Sequence, residues 1–486
     1  MEKATRKANA KKCVYLFLTI VICLQLSCKR LVEVSAPITS LTNTNTYNND
    51  ATAAAVLTGL YANWSNGSNF CTGTSGISLL SALSADDLRM IQGASNTTYV
   101  GYYTNRLTNV NVEGSDMWSG IYPFVGVANS ALEGIESSSG LTAAVKQQLT
   151  GEAKFVRAFC YFYLVNLYGD VPLTLTSNYT VNSVLARSPE DVIWQQVISD
   201  LKDAEGLLSG NYLDATLLNT TNERVRPSKW AAAALLARAY LYTTDYSDAE
   251  SQADTVLGNS GLFALSSLNN AFLRASLGNN EAIWQLQPVN VGQNSPDASV
   301  WIIPSSGPDP VSYPFYLNSD LINAFDSGDQ RRVDWIDSVS VGAATYYYPF
   351  KYKVDSAGAP LTEYTMVLRL GELYLIRAEA RIQLGNLAGA MADINVIRER
   401  AGLADIGDSS VSALMNIVRH ERRVELFTEW GHRWLDMKRT GVVDSVMGTA
   451  GACAAKGGIW NPDWALYPIS LYELQTDAKL VQNPGY

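Results

Sequence analysis

Residues 368–403 read LRLGELYLIRAEARIQLGNLAGAMADINVIRERAGL, and their pattern decides the fold class. Apolar and small residues recur at three- and four-residue intervals, which is the period of an α-helix with one buried face. The pattern predicts one helix over Leu361–Leu384 and a second over Leu387–Arg400. Two such neighbouring helices form an antiparallel hairpin, a basic unit of all-α proteins.

The same hairpin occurs a second time, 141 residues earlier. Its key positions are Ala237, Tyr240, Ala249, Ala253 and Val256, and their counterparts are Ala378, Arg381, Ala390, Ile394 and Ile397. The spacings of 3, 9, 4 and 3 residues resemble the tetratricopeptide pattern, in which small side chains let two helices approach closely. Arg381 stands where a large apolar residue or Tyr is usual, so we expect Ile382 to take that role. Because two hairpins cannot bury all their faces, helices within residues 117–208 are expected to complete the stack.

Further helices are predicted from the same periodicity. They span Met117–Ile135, Thr142–Tyr168, Pro189–Leu208, Pro227–Thr243, Asp248–Leu257, Val411–Thr428 and Arg433–Thr440. A helix over Asp50–Trp64 is expected to have Asp50 as its N-cap. From about residue 258 to 360 the helical signal lapses, and strand-like runs stand at Ala282–Leu286 and Thr345–Phe350. The predicted fold is mainly all-α, with tetratricopeptide-like helical hairpins packed with an irregular loop-rich region that contains a few short strands.

The N-terminal residues have the composition of a secretory signal. Residues 1–12 carry five cations and one acid, and residues 14–26 are thirteen uncharged, mostly apolar residues. This run is shorter than the roughly 20 residues that cross a bilayer. The serine and Cys28 that follow are similar to the lipobox of bacterial lipoproteins, although Gln25 stands where leucine is usual. We expect residues 1–27 to be a signal peptide and Cys28 to be acylated, with an ordinary cleaved signal as the alternative.

The periodicity divides the rest of the chain into four parts. Residues 28–49 are expected to form a lipid-anchored tether, and residues 50–257 an N-terminal helical, tetratricopeptide-like part. Residues 258–360 form a loop-rich insertion, where we expect ligand binding because insertions on a repeat scaffold gather on one face. Residues 361–486 hold the C-terminal helical hairpins and tail, packed with the N-terminal part as one body.

Charge and cysteine content argue against two classes of protein. The 486 residues have a formal net charge of −10, and the signal contributes five cations and one acid, so the remaining chain stands near −14. Such an acidic balance argues against nucleic-acid binding. Only Cys71, Cys160 and Cys453 follow Cys28, so no dense disulfide framework is expected. Cys160 falls on an apolar helix face and is expected in the core, whereas a bridge between Cys71 and Cys453 stays open.

No catalytic or metal-binding motif stands out in the sequence. The two histidines, His420 and His432, are twelve residues apart, and no H-E-x-x-H, G-x-S-x-G, Walker or paired C-x-x-C motif is present. We therefore expect no enzyme, no metal site and no cofactor, although glycosidase carboxylates from distant positions remain an alternative. The adjacent Asp86 and Asp87 are expected to cap a helix or form salt bridges, because neighbours in sequence point apart.

Residues 420–440 carry charges three or four positions apart, as is typical of ion pairs along a helix surface. These charges are Glu421, Arg422, Glu425, Glu429, Arg433, Asp436 and Arg439. We expect them to form a structural lattice that joins neighbouring helices, and not a binding site.

Aromatic residues make up 10% of the chain and are its best indication of a ligand. A sugar ring has an apolar face and a rim of hydroxyls, so its site needs flat side chains beside Asn, Asp, Arg or Ser. Two stretches combine these residue types. They contain Trp64, Asn66, Asn69 and Phe70, and Trp301, Asp309, Tyr313 and Tyr316. Burial of Trp64 and Trp301 is the alternative, and we expect Trp284 and Trp335 to be packed.

Six stretches together resemble the SusD/RagB family of outer-membrane nutrient-binding lipoproteins of Bacteroidota. Besides residues 368–403 they are CKRLVEVSAP (28–37), GEAKFVRAFCYFYLVNLYGDVPL (151–173), RPSKWAAAALLARAYLY (226–242), HERRVELFTEWGHRWLDMKRTG (420–441) and LYPISLYELQTDAKLVQNPGY (466–486). They follow the order of the family and span nearly the whole chain after the signal.

The resemblance implies a helical, tetratricopeptide-like fold with an irregular cap and a non-enzymatic role. It implies a lipid-anchored protein on the surface of the outer membrane that captures glycans, as oligo- or polysaccharides. The partner would be a SusC-like, TonB-dependent transporter barrel that receives them for import. The alternatives are peptides as cargo, a surface glycoside hydrolase, or a tetratricopeptide scaffold for protein assembly. Ligand residues vary within the family, so the resemblance assigns none of the aromatic residues.

Overall fold

Helical hairpins dominate the structure, as the periodicity predicts. The structure is a computed structural model that describes residues 46–66, 68–111, 117–407, 410–448 and 450–486. The expected signal peptide, Cys28 and the tether up to residue 45 lie outside the described residues. Residues 47–486 form one compact unit.

The helices are α1 (Asp50–Trp64), α2 (Ile77–Ser84), α3 (Thr97–Tyr103), α4 (Met117–Ser137), α5 (Ala143–Tyr168), α6 (Tyr179–Asn182), α7 (Glu190–Leu207), α8 (Lys229–Tyr242), α9 (Tyr246–Leu257), α10 (Pro296–Trp301), α11 (Ser319–Ile322), α12 (Gln330–Asp334), α13 (Leu370–Gln383), α14 (Leu387–Arg400), α15 (Val411–Leu426), α16 (His432–Arg439), α17 (Val443–Met447), α18 (Ala452–Ala455) and α19 (Leu471–Thr476). Short 3₁₀ turns span Leu268–Asn270, Ala275–Leu277 and Pro462–Ala465. Except for the start of α13, the predicted helices agree with the observed ones to within two residues at each end.

Three antiparallel helix pairs, α5/α7, α8/α9 and α13/α14, form a continuous stack. The second helix of each pair packs against the first helix of the next pair. Helix α4 packs on α5 at one end of the stack, and α15 packs on α13 and α14 at the other. This arrangement confirms the predicted tetratricopeptide-like fold, in which each pair buries the face that its neighbour exposes.

The repeated positions of the two matching hairpins lie where their helices meet. Their small residues are fully buried, so the paired helices approach closely. As expected, Ile382 takes the place of the usual large residue and is 2% exposed. Arg381 instead reaches the preceding hairpin, where its Nε lies 2.7 Å from Glu250 Oε1.

Short strands lie between the helices and pair antiparallel, two by two, within the described part of the chain. They are β1 (Ser68–Asn69), β2 (Thr72–Gly73), β3 (Leu88–Met90), β4 (Ala282–Leu286), β5 (Phe315–Leu317), β6 (Ile336–Val341), β7 (Ala344–Pro349) and β8 (Thr365–Arg369). The pairs are β1 with β2, β3 with β5, β4 with β8 and β6 with β7. Both predicted strand-like runs are confirmed, as β4 and β7.

The prediction of a helix over Leu361–Leu384 is wrong in its first part. Helix α13 begins at Leu370, and the preceding residues form β8, which pairs with β4 so that Thr365 stands opposite Leu286. All five residues of β8 are buried. A short apolar run is compatible with either a buried helix or a buried strand. Pairing with β4, which is distant in sequence, determines that this run forms a strand.

Helix α1 is capped by Asn49 and not, as predicted, by Asp50. The Oδ1 atom of Asn49 accepts a hydrogen bond from Thr52 N at 3.0 Å. Asp50 is the first helical residue, and its Oδ1 accepts a hydrogen bond from Thr142 N at 2.9 Å. The start of α1 is therefore joined to the residue before α5.

Tyr47 packs over the end of α4, and Gly134 leaves the space for its ring. The tyrosine is 5% exposed, and its carbonyl accepts a hydrogen bond from Ser138 Oγ at 2.6 Å. A Cβ atom at Gly134 would collide with the Tyr47 ring. The described chain therefore begins beside the C-terminal end of α4.

Replacing Gly134 with alanine is expected to lower the free energy of unfolding by about 1–3 kcal/mol, because the added methyl overlaps Tyr47. The matched control is Gly126→Ala on the same helix, where nothing lies within 4 Å of the new Cβ. That change is expected to stabilise the helix by up to about 1 kcal/mol, since alanine has the higher helix propensity. Urea denaturation measures both. Equal changes in the free energy of unfolding for Gly134→Ala and Gly126→Ala would contradict the packing of Tyr47 against Gly134.

The charges of residues 420–440 pair in the interior, so the expected lattice along the surface is wrong in its location. Glu425 is 0% exposed, and its Oε1 lies 2.5 Å from Arg369 Nη1 while its Oε2 lies 3.2 Å from Arg331 Nη1. Glu429 Oε2 lies 2.8 Å from Arg369 Nε. The partners belong to β8 and α12, so the charges do join neighbouring elements. These carboxylates and guanidinium groups can be buried because each lies within ion-pair distance of a group of opposite charge.

Asp86 and Asp87 form salt bridges, as predicted. Arg433 Nε lies 2.7 Å from Asp86 Oδ1, and Arg423 Nη2 lies 2.9 Å from Asp87 Oδ1. Burial alone would raise the pKa of Asp86, but the hydrogen bonds and charge of Arg433 lower it to about 2. The pair therefore connects the segment after α2 with α15 and α16.

Cys71, Cys160 and Cys453 are free, buried thiols. The bridge between Cys71 and Cys453 that the sequence left open is therefore not formed. Cys160 is 0% exposed, which confirms its place in the core. Among the described residues, none of the helices combines the length and the apolar character needed to span a membrane.

Candidate functional site

The expectation that Trp64 faces a ligand is wrong. Its side chain is 0% exposed, and its ring centroid lies 5.4 Å from that of Phe159 and 5.5 Å from that of Phe124. Phe70, from the same predicted stretch, is 2% exposed and joins this aromatic cluster, as does Trp284 of β4. Helices α4 and α5 supply the partners that close over the apolar end of α1.

Trp301 is also buried, at 4% exposed, which overturns its expected role in surface recognition. It ends the short helix α10, and its ring centroid lies 6.0 Å from that of Phe315 on β5. Proline suits the first turn of a helix, so Pro296 lets this Pro-rich segment bury its aromatic ring. Trp284 and Trp335 are each 0% exposed and are packed as expected.

The segments next to the two predicted stretches, one after Phe70 and the other before Trp301, do meet. Gly73 N of β2 donates a hydrogen bond to Asp297 Oδ1 of α10 at 2.9 Å. Beside this contact lies a cleft of about 230 Å³, which we call the polar cleft. Its amide, hydroxyl and carboxylate side chains are Asn66, Thr74, Gln293, Asn294, Ser295, Ser299, Asp355 and Ser356. Such groups suit a ligand rich in hydroxyls.

The frame of the polar cleft is preformed. Asn294 is 5% exposed, and its Oδ1 accepts hydrogen bonds from Thr362 N and Glu363 N, both at 2.8 Å. These bonds fix the segment that carries Gln293 against the segment before β8. Asp297 lies beneath this frame, and its burial raises its pKa to about 6. The hydrogen bond from Gly73 N acts in the opposite direction and lowers the pKa. The cleft walls therefore rest on buried, satisfied polar contacts and need no ligand to form.

Half-buried side chains on β3 and β5 form a second candidate surface. The register places Arg89 directly opposite Tyr316. Directly opposite side chains share a face of the sheet, and alternate residues of a strand face opposite sides. Because Phe315 and Leu317 are buried at 6% and 2% exposed, Tyr316 and Arg89 lie on the outer face.

Tyr346 of β7 and Tyr103 of α3 complete this surface, which we call the tyrosine face (Arg89, Tyr103, Tyr316 and Tyr346). The ring centroids of Tyr316 and Tyr346 lie 5.1 Å apart with the ring planes at 80°. Burial raises the pKa of Tyr316, the hydroxyls of Tyr103 and Tyr346 raise it further, and the charge of Arg89 opposes them. The half-buried rings of Tyr316 and Tyr346 therefore offer aromatic surface beside the guanidinium of Arg89, whereas Tyr103 is only 8% exposed.

Tyr99 connects the polar cleft to strand β5. Its hydroxyl donates a hydrogen bond to the carbonyl of Thr74, a residue of the cleft, at 3.1 Å. Its ring centroid lies 5.8 Å from that of Phe315, the neighbour of Tyr316 on β5. Tyr99 thus connects the polar cleft to β5, and the polar cleft and the tyrosine face are the two parts of the candidate site.

The remaining predicted residues fall at this site or hold nearby loops. Asn66 lines the polar cleft, and Tyr316 belongs to the tyrosine face. Asn69 Oδ1 accepts a hydrogen bond from the backbone two residues later at 2.8 Å. Asp309 Oδ1 accepts one from Ser312 N at 2.8 Å, within the loop that also carries the half-buried Tyr313. A ligand role for Asn69, Asp309 and Tyr313 stays a prediction.

Sequence reasoning missed Arg89, Tyr103 and Tyr346. Tyr346 lies in the run predicted as a strand, but nothing in that run marked it as a ligand residue. Arg89 had no sequence signal, because its place opposite Tyr316 depends on the pairing of β3 with a strand far along the chain.

Two comparisons of sequence with known families cover most of the chain. Residues 335–486 match the sequence model of the SusD family, and residues 33–241 match one described as "Starch-binding associating with outer membrane". The chain belongs to the SusD/RagB family. This membership confirms the resemblance inferred from the six stretches, and the matched residues include the helix pairs α5/α7 and α13/α14.

Relatives that cover from about two thirds to nearly all of the chain agree with this assignment. SusD-like protein P25 of Formosa agariphila is 24% identical, over 97% of this chain and 98% of its own. A SusD-like protein of Bacteroides ovatus is 27% identical, over 70% of this chain and 68% of its own.

Solved SusD structures share the fold. A SusD superfamily protein from Bacteroides vulgatus matches with a TM-score of 0.75 and 22% identity, over 90% of this chain and 99% of its own. A structure described as "Laminarin binding SusD-like protein" matches with a TM-score of 0.73 and 24% identity, over 90% of this chain and 100% of its own. At these identities the likeness establishes the SusD fold and no ligand.

Proposed function

We propose that this SusD-family protein is a lipoprotein of the outer membrane that captures glycans at the cell surface. Cys28 carries the lipid anchor. The protein delivers oligo- or polysaccharides to a SusC-like, TonB-dependent transporter barrel and does not cleave them. The candidate site binds the sugar, and the helical stack holds the site in place.

The observation that carries this proposal is the combination of aromatic rings on the tyrosine face with polar side chains in the polar cleft. A sugar ring places its C–H face on an aromatic ring, while its hydroxyls need donors and acceptors around it. Tyr316 and Tyr346 supply ring surface, Arg89 supplies donors, and Asn66 and Gln293 supply amides in the cleft. Because a buried hydroxyl without a partner costs about 1–3 kcal/mol, this mixture favours a polyhydroxylated ligand over an apolar one.

The comparisons give the proposal independent support. One matching family description names starch binding and association with the outer membrane. One SusD-like structure of the same fold is described as binding laminarin, a glycan. The acylated cysteine expected at Cys28 would supply the membrane association, since acyl chains contribute about 0.8 kcal/mol for each buried CH₂ group.

Isothermal titration of the purified protein with oligosaccharides from laminarin and starch, and with a peptide panel, tests the proposal. We expect saturable binding of at least one oligosaccharide, which is recovered intact after prolonged incubation. The double variant Tyr316→Ala/Tyr346→Ala is expected to bind at least tenfold more weakly, since each ring contributes about 0.5–1.5 kcal/mol beyond the area that it buries.

The matched control is Tyr472→Ala on α19, a tyrosine that is 61% exposed and outside the candidate site. Its affinity is expected to equal that of the unchanged protein. Unaltered binding by the Tyr316→Ala/Tyr346→Ala variant would remove the tyrosine face as the site. Binding of peptides alone would change the cargo, and cleavage of the sugar would contradict a purely binding role.

A further inference from the structure

Five arginines line a small pocket formed by α15 and α16, which we call the arginine pocket. They are Arg419, Arg422, Arg423, Arg433 and Arg439. Residues three and four positions apart share one face of a helix, so α15 presents the first three side chains on the same side. Among the lining residues that the structure describes, Asp436 is the only carboxylate. The wall of the arginine pocket is therefore rich in positive charge.

Carboxylates around the arginine pocket balance most of this charge but not all of it. The pairs are Arg422 with Asp436, Arg439 with Asp436 and Glu379, Arg433 with Asp86, and Arg423 with Asp86 and Asp87. Arg419 is exposed, and within the described part of the chain no carboxylate lies at ion-pair distance from it. Because five guanidinium groups meet four carboxylates, one positive charge stays unbalanced.

Arg422 brings a hydrogen-bond donor without an acceptor to the arginine pocket. The residue is 2% exposed, and its Nε and Nη2 lie 2.7 Å and 3.1 Å from the two carboxylate oxygens of Asp436. Its Nη1 is buried and has no hydrogen-bond partner among the described residues. A guanidinium is always charged, and a buried N–H group without an acceptor is unfavourable. An acceptor that enters the pocket would complete the hydrogen bonding of Arg422.

Asp436 does not supply that acceptor, because both of its carboxylate oxygens are already bonded. Oδ2 accepts from Arg422 Nε, and Oδ1 accepts from Arg422 Nη2 and from Arg439 Nε at 2.7 Å. Burial alone would raise the pKa of Asp436, but the charges of Arg422 and Arg439 hold it well below its ordinary value of 3.8. The guanidinium groups therefore dominate the electrostatic potential beside the pocket, which favours a further anion.

The size and shape of the arginine pocket restrict the anion. The pocket has a volume of about 40 Å³, compared with about 230 Å³ for the polar cleft. A water molecule needs about 10–15 Å³, so the pocket accepts a group of a few atoms and no sugar ring. A planar carboxylate is best met by one edge of a guanidinium, as Asp436 is by Arg422. Donors from two helices instead suit a tetrahedral oxyanion, whose oxygens point in several directions.

We propose that the arginine pocket binds one tetrahedral oxyanion, a sulfate or phosphate group. Arg422 Nη1 donates a hydrogen bond to it, and Arg419 supplies the unbalanced charge at the exposed side. The fork of N–H donors on arginine matches the geometry of such groups. The group enters either as the free inorganic ion or as a substituent on a sugar. This binding does not require the glycan capture proposed above, and it uses residues outside the candidate site.

Isothermal titration with sodium sulfate and with sodium phosphate, at an ionic strength held constant with sodium chloride, tests the proposal. Saturable binding of at least one of the two ions is expected. The variant Arg419→Glu is expected to bind that ion at least tenfold more weakly. The matched control is Arg106→Glu, which changes the net charge equally at an exposed arginine outside the pocket, and its affinity is expected to stay within twofold.

The variant Arg422→Lys tests the donor itself, because lysine keeps the charge but has no group in the place of Nη1. Its affinity is expected to fall at least tenfold, with a helix content by circular dichroism equal to that of the unchanged protein. If the loss of pairing with Asp436 prevents folding, the comparison of Arg419→Glu with Arg106→Glu decides. In crystals soaked with selenate, an anomalous peak is expected within hydrogen-bond distance of Arg422 Nη1.

Titration with glucose 6-sulfate distinguishes the two sources of the oxyanion. Binding tighter than that of inorganic sulfate, and abolished by Arg419→Glu, would show that the group arrives on a sugar. Binding equal to or weaker than that of inorganic sulfate would assign the pocket to the free ion. The proposal would be overturned if neither ion binds saturably, if Arg419→Glu and Arg106→Glu lose affinity equally, or if selenate binds only elsewhere. Binding of acetate and of neither tetrahedral ion would also overturn it.

Discussion

Replacing Arg369 with methionine is expected to lower the free energy of unfolding by about 3–5 kcal/mol, because it leaves buried carboxylates without their partner. Arg369 is 2% exposed. Its Nη1 lies 3.0 Å from Glu281 Oε1 and 2.5 Å from Glu425 Oε1, and its Nε lies 2.8 Å from Glu429 Oε2. Methionine keeps a similar volume but donates no hydrogen bond. Urea denaturation followed by circular dichroism measures the loss.

The matched control is Lys154→Met, which breaks an ion pair at the surface. Lys154 Nζ lies 2.5 Å from Asp203 Oδ2, and the two side chains are 23% and 49% exposed. Since water replaces the partner of an exposed charge, this change is expected to cost less than about 1 kcal/mol. A loss no larger for Arg369→Met than for Lys154→Met would show that the buried network does not stabilise the fold.

The pH dependence of the Arg369→Met effect has a definite sign. Burial alone would raise the pKa of Glu429, but the charges of Arg369 and Lys351 lower it below its ordinary value of 4.5. A carboxylate with a lowered pKa adds stability above its ordinary pKa and loses it as the pH falls. The excess stability of the unchanged protein over Arg369→Met is therefore expected to shrink as the pH falls below 4.5.

Replacing Trp64 with alanine is expected to destabilise the protein by about 3–5 kcal/mol, because the cavity would lie at the centre of an aromatic cluster. Trp64 is 0% exposed and contacts the rings of Phe70, Phe124, Phe159 and Trp284. The affinity of the folded variant for the oligosaccharide found by titration is expected to stay within twofold, since the indole does not reach the surface. Thermal unfolding and titration at low temperature measure the two effects.

Trp64→Phe provides the control, because it keeps an aromatic ring at the same place. It is expected to cost about 1–2 kcal/mol, less than the alanine variant, since a smaller cavity remains. The result that would contradict this account is a loss of affinity in Trp64→Ala with little change in stability. Trp64 would then belong to the binding site that its sequence context first suggested.

Helical periodicity was sufficient to predict most of the scaffold. The helices over Asp50–Trp64 and Leu387–Arg400 lie at the predicted residues, because a repeat of 3.6 residues is a local property of the chain. The buried Ile382 beside the outward-reaching Arg381 was also predicted from spacing alone. The prediction failed at residues 361–369, where an apolar run forms β8 because β4 lies beside it.

The candidate site was predictable only in part. Asn66 and Tyr316 belong to it, whereas Trp64 and Trp301 point into the core. The residue types around both tryptophans suit a sugar site, but composition does not tell which face of a ring other segments cover. Arg89 had no sequence signal, because its role depends on the register between β3 and β5.

The sequence alone determined the repeating helical hairpins, most of their boundaries and the family, because these depend on patterns within short stretches of the chain. Tertiary structure decided which aromatic rings reach the surface and that the charges of Glu425 and Glu429 pair in the interior with Arg369. The reason is that exposure and charge pairing depend on segments far apart in the chain, and only folding brings those segments together.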